Sequence, residues 1–204
     1  MLMSEAPGSR RTPLLDEYLE SLPERCASYP DHQVRASLTL NGIAGFRIQR
    51  DELPPPLRYL LDTPPTSTSW IPEVHNLAVW TLVRDLRFDN DQSFFDAVVE
   101  IDSRIYNNVV YRTLFWALRP ARILKLGGKA FEHFRKGSEL ITERRSNRSV
   151  TITLRYPRGL FSELMWEAVL AGSTESIRVG NPEETIVGRS TCWTPHEARG
   201  FIEW

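Results

Sequence analysis

The 204-residue chain is 41% hydrophobic and 25% charged with a formal net charge of -1, a composition that supports the core of one α/β or α+β domain and excludes a disordered or strongly basic chain. Its two cysteines, Cys26 and Cys192, lie far apart, show no paired metal spacing and no disulfide framework, and point to free thiols in a reducing, cytoplasmic compartment. The opening MLMSEAPGSRRTP lacks a signal-peptide pattern, and no apolar run approaches the roughly 18 residues that span a bilayer, so no membrane span is expected.

Residues 1–12 read as a flexible tail, and residues 13–204 as a single domain in which 13–62 forms an accessory N-terminal region. Pro13 suits a first helical turn, and Leu14, Leu15, Tyr18, Leu19 and Leu22 form an apolar stripe, predicting a short helix. Val34 to Ile48 mixes β-favouring residues with Asn41-Gly42 and Gly45, predicting a bent strand or a strand entering a turn. Pro54-Pro55-Pro56 precedes a brief helical stretch, and DTPPTSTS from Asp62 is a connector.

Trp70 to Leu86 carries helical spacing with Pro72 near its start. From Asn90, Phe94, Phe95, Val98, Ile101, Ile105, Val109 and Phe115 return to one face, with Asn90 or Asp91 as the cap and a bend at Asn107-Asn108. Another helix is predicted from Pro120 through Phe131 and Phe134. Aromatic residues at this spacing fill a core or line an apolar pocket, and spacing does not separate the two.

Leu140–Arg144 and Val150–Tyr156 read as paired strands across RSNR, with alternation that makes one face dry. Phe161, Leu164, Met165, Ala168 and Val169 form an amphipathic helix ending near Gly172. Strands at Thr185–Ser190 and Gly200–Trp204 close the chain. The acidic and basic residues are segregated: residues 1–102 carry nine Arg or Lys against sixteen Asp or Glu, and residues 103–158 carry thirteen against three. Internal pairing accounts for this, with an anionic ligand or an acidic protein partner as the functional alternative. Nucleic acid is an unlikely partner, because no nucleic-acid-binding motif accompanies the charge.

The order of elements from Glu139 to Trp204, together with Cys192 in GRSTCWTPHEARGFIEW, resembles the 4-vinyl reductase domains, related to aromatic-effector sensors and to subunits of the TRAPP vesicle-tethering complex. VRASLTLNGIAGF and WIPEVHNLAVW are similar to a family of uncharacterised myxobacterial proteins. The resemblance implies an α+β fold, a helical layer packed against a small antiparallel sheet, and a small-molecule pocket or binding platform. That family's ending carries a second cysteine where this chain has Gly200, so its metal chemistry does not carry over.

The remaining chemistry is incomplete. Cys192, His196 and Glu197 fall short of four zinc donors, and no orienting group or oxyanion site supports a Cys192–His196 nucleophile. Ser162 in GLFSEL is not a nucleophile elbow and reads as a helix cap, KLGGK at Lys125 lacks phosphate-loop spacing, and Asp102 reads as a partner of Arg104 or another arginine. No catalytic residue and no metal are expected, and the cofactor is left unknown. The expected function is a non-enzymatic sensory or regulatory domain binding a small, mostly apolar molecule between helices and sheet. Phe115, Trp116, Phe131, Phe134, Phe161, Met165 and Trp166 are its expected lining. A scaffold with a filled core, acting as a homodimer or binding another protein, is the alternative, and an enzyme is a third.

Overall fold

The computed structural model describes residues 12–106, 128–129 and 131–204. The first helix, α1 (Pro13–Ser21), has Pro at its start and buries Leu15, Tyr18 and Leu19. A 3-10 turn (Arg25–Ala27) leads to strand β1 (Gln33–Arg35). Val34 to Ile48 is not a bent strand: after β1 the chain enters helix α2 (Ala36–Gly45). Gly42 is tolerated inside that helix because α2 lies against the next long helix, where a Cβ would sit 3.2 Å from the Trp80 ring. Tertiary contact here overrides the cost of an interior glycine.

A 3-10 turn (Pro55–Leu57) and the short helix α3 (Tyr59–Asp62) follow. The helix expected from Trp70 begins later. Trp70–Pro72 is strand β2, paired antiparallel with β1, and helix α4 spans Glu73–Arg87. Pro72 explains the boundary, since proline forces the residue before it into extended geometry. Helix α5 (Asp91–Tyr106) starts where Asn90 Oδ1 accepts the Ser93 amide at 2.9 Å. The expected bend at Asn107-Asn108 and most of the helix expected from Pro120 lie outside the described residues.

Strand β3 (Arg135–Lys136) completes a three-stranded sheet in the order β2-β1-β3. A second, four-stranded antiparallel sheet has the order β4-β5-β7-β6, from β4 (Glu139–Ser146), β5 (Ser149–Arg155), β6 (Val187–Trp193) and β7 (Glu197–Glu203). The dry face expected on β5 is present: Val150, Ile152 and Leu154 are buried, with Ile202, Gly200 and Ala198 as their β7 partners. Helix α6 (Glu163–Gly180) covers this face with Met165, Trp166, Leu170 and Ile177. Ser162 is its cap, accepting the Met165 amide at 3.3 Å, worth about 1 kcal/mol.

Gly172 does not end α6, which continues to Gly180. It marks the crossing of α5, where a Cβ would collide with Asp102 Oδ2. Arg104 bonds Glu100 instead of Asp102, because four residues on a helix place those two side chains on one face. Tyr18 Oη donates to the Leu160 carbonyl at 2.9 Å, joining α1 to the connection between β5 and α6. Among the described residues no helix is long and apolar enough to cross a membrane.

Candidate functional site

Two segments of the helical half, residues 24–30 and 54–56, carry the wall of the larger cavity. It measures about 650 Å³, and its lining includes Leu19, Cys26, Pro30, Pro54–Pro56, Pro72 and His75 together with the charged Glu24 and Arg25. Prolines make this wall stiff, since ring closure fixes φ and little conformational freedom is lost on contact. Arg25 (φ 51) and Tyr29 (φ 54) bracket the 3-10 turn in left-handed geometry, a sparsely populated conformation for residues with a side chain.

Both nitrogens of the groove's imidazole are engaged within the protein. A carbonyl can only accept, so His75 Nε2 donates to Cys26 O at 3.1 Å, and His75 Nδ1 accepts from Tyr59 Oη at 2.8 Å. Burial lowers the His75 pKa, so the imidazole is neutral near pH 7 and presents an aromatic surface. Burial also raises the Cys26 pKa, opposed by Arg25, which keeps the sulfur protonated. Arg25 is paired with Glu20 at 3.8 Å. The groove is therefore largely apolar, with its charge confined to Glu24 and Arg25.

Behind the groove lies a buried polar seam. Glu73, 1% exposed, shares the first turn of α4 with His75 and accepts at Oε1 from Asn76 Nδ2 (3.1 Å) and from Arg135. Thr39 Oγ1 donates to Asn76 Oδ1 at 3.0 Å. The Arg135 guanidinium stands 5.3 Å from the Phe131 ring and 5.7 Å from the Phe161 ring, within cation–π range. Glu73 Oε2, His32 Nδ1 and Ser138 Oγ are buried without a hydrogen-bond partner, which is unusual enough in folded proteins to mark a place.

The expected lining residues are dispersed. Phe131 and Phe161 meet at Arg135, Met165 and Trp166 are buried in the core, and Phe134 is exposed at 37%. Trp166 is anchored by Nε1 donating to Ser190 Oγ at 2.9 Å. Phe115 and Trp116 lie outside the described residues. None of the other five borders the groove or the second cavity, about 370 Å³ between α5, α6 and β6, whose walls include Gln92, Asp96, Glu167 and Arg178. Sequence reading missed the groove itself; its signal was the recurrence of proline at 30, 54, 55, 56 and 72, in segments brought together only by folding. Cys192 and His196 are both exposed, and among the described residues no group of three or more His, Cys, Asp or Glu could hold a metal ion.

No family model and no curated protein matches the chain. Solved structures do. One, from work on modulating heme redox potential through protein-induced porphyrin distortion, is 8% identical with a TM-score of 0.50, covering 94% of this chain and 96% of its own. A second, from a study of heme distortion in the H-NOX family, is 11% identical with a TM-score of 0.51 over 83% of this chain and 92% of its own. A third, an oxygen-binding H-NOX domain related to soluble guanylate cyclases, is 11% identical with a TM-score of 0.51 over 83% and 90%.

These likenesses correct the resemblance to 4-vinyl reductase domains, myxobacterial proteins and TRAPP subunits, and with it the fold class and designation drawn from that resemblance. The resemblance rested on element order after Glu139 and on short local patterns such as VRASLTLNGIAGF and WIPEVHNLAVW, whereas each of these matches takes in 83% of the chain or more. The expectation of no metal is corrected too, since chains sharing this fold are described by their heme. A missing second cysteine bears on a multi-donor metal site, but a porphyrin carries its own four nitrogens and asks the protein for an axial donor. The helices and small antiparallel sheets of this chain are arranged in the H-NOX fold.

Proposed function

We propose that this chain is a non-enzymatic sensory domain, and that it binds a small, mostly apolar molecule in the proline-lined groove beside the first turn of α4. The observation that carries this reading is the groove: about 650 Å³, within the range of small-molecule sites, with both nitrogens of its His75 bonded within the protein. An occupant buries apolar surface against the proline wall and His75, and binding of this kind favours whichever arrangement of the groove walls closes on it. The non-enzymatic sensory reading agrees with the sensor fold that the chain shares.

Heme is the group named for the structural neighbours. An iron porphyrin needs an axial donor with a free lone pair facing its cavity. His75, the groove's imidazole, has both nitrogens engaged, and Cys26 is held as a thiol. His32 Nδ1 faces the backbone at Gly137, while His133 and His196 are exposed. Tyr18, Tyr29 and Tyr156 donate their hydroxyls to carbonyls at 2.9, 2.6 and 2.9 Å. The groove's own nitrogen and sulfur donors, His75 and Cys26, therefore do not fit an iron porphyrin.

Titration with N-phenyl-1-naphthylamine, a neutral apolar fluorophore, tests the groove. Binding should shield Cys26 from N-ethylmaleimide while exposed Cys192 reacts unchanged, and Ala27→Trp, which fills the groove, should abolish both effects. Fluorophore binding that survives Ala27→Trp, or no shielding of Cys26, refutes the assignment. Parallel addition of hemin gives a Soret band if iron is coordinated, and its persistence in His75→Ala would assign the axial donor to a residue outside the groove.

A further inference from the structure

We infer that the Glu73–Arg135 bond couples occupancy of the groove to the four-stranded sheet; the inference rests on the groove as the ligand site. The first turn of α4 faces two ways. Pro72 and His75 line the groove, while Glu73 and Asn76, each 1% exposed, enter the seam. On a helix, residues three apart share a face and adjacent residues differ by about 100°. A displacement of Pro72 and His75 by an occupant therefore carries Glu73 and Asn76 with it.

A second segment of the groove wall is tied to the same turn. Pro30 lines the groove, and two residues on, the His32 carbonyl accepts the Glu73 amide at 2.8 Å. The His32 ring lies against Gly137, whose φ is +86°, and a Cβ at Gly137 would collide with the imidazole. Only glycine meets both conditions without strain. Gly137 joins β3 to β4, so movement at 30–32 and 72–76 reaches the connection between the two sheets at two points, His32 on Gly137 and Glu73 on Arg135.

Arg135 extends the path. Its guanidinium stands over Phe161, which is fully buried just before α6, and the Phe161 carbonyl accepts from Trp193 Nε1 of β6 at 3.1 Å. Glu73 keeps one oxygen, Oε2, without a partner. A carboxylate with a spare acceptor beside an arginine has a second bonding arrangement open to it at little loss, which is what a two-state contact requires.

Hydrogen exchange at the amides of residues 135–142, with and without N-phenyl-1-naphthylamine, tests the coupling. At about 100 times the dissociation constant, exchange in the wild type should slow by up to about 100-fold, the mass-action limit when opening of the seam requires an empty groove. In Glu73→Gln, fluorophore affinity should stay within about threefold and the slowing should fall below about threefold. The double variant Glu73→Gln/Arg135→Gln leaves no unpaired buried charge, folds for that reason, and should behave as the single variant does. Slowing that survives in both variants refutes the coupling alone, whereas failure of the fluorophore to bind the wild type removes the groove assignment and the coupling with it.

Discussion

The surroundings of Trp166 and of His75 use large rings in opposite ways. Trp166 is fully buried between α6 and the sheet, and its one polar atom bonds Ser190. His75 also has its polar atoms bonded within the protein, but its ring borders an open groove. Both environments satisfy their hydrogen bonds, so polarity does not distinguish them. The filled site resists change and supplies stability. The open one can take an occupant at little cost in desolvation, and the first turn of α4 lies between the groove and the buried seam.

The largest test of that contrast is Trp166→Ala, which should lower unfolding free energy by about 3–5 kcal/mol in urea denaturation, as for other buried large-to-small changes. A loss near zero would mean that the sheet half is not filled as described.

Next in size is a pH effect at the crossing of α5 and α6. Burial, with the Glu175 charge adding to it, raises the Asp102 pKa to about 6. The folded state therefore holds this proton where the unfolded chain, with a pKa near 3.9, has released it. This contribution is present in full below about pH 4 and is lost as pH rises toward and through about 6, a difference of at most about 3 kcal/mol. Asp102→Asn should remove that slope from a plot of stability against pH, and an unchanged slope would contradict the assignment.

Gly200→Cys should cost about 1–3 kcal/mol by overpacking. A Cβ there would lie 2.8 Å from the Arg189 carbonyl and 3.1 Å from Leu170 and Trp166. Smaller again, Ser162→Ala removes the α6 cap and should cost about 1 kcal/mol, read from the same denaturation curves. Smallest is Ala27→Trp in the groove, which should change stability by no more than about 0.5 kcal/mol while abolishing fluorophore binding. Equal stability losses at Trp166 and Ala27 would erase the distinction between the two environments.

Legibility followed locality. The β5 alternation, the Asn90 and Ser162 caps and the proline at the start of α1 could be read directly, because each depends on residues a few positions apart. Gly42 and Gly172 were misread as breakers because their role is to let α4 and α5 approach, a property of partners distant in sequence. The charge asymmetry was also legible in outline. Arg135 finds Glu73, and Arg155 finds Glu139 and Glu197, but which acid meets which base depended on strand register.

The sequence by itself determined most of the elements, α2 and β2 excepted, and the apolar faces they had to bury, since backbone sterics and hydrophobic period act over one or two turns. Tertiary structure alone decided which family of folds these elements compose, which aromatic rings fill the core and where a groove stays open. Five prolines from three separate stretches of chain line one groove with His75, while Phe161, Met165 and Trp166 are buried in the core and Phe134 is exposed. The physical reason is that a cavity is the space left among segments after they have packed, and that space depends on contacts across the whole fold.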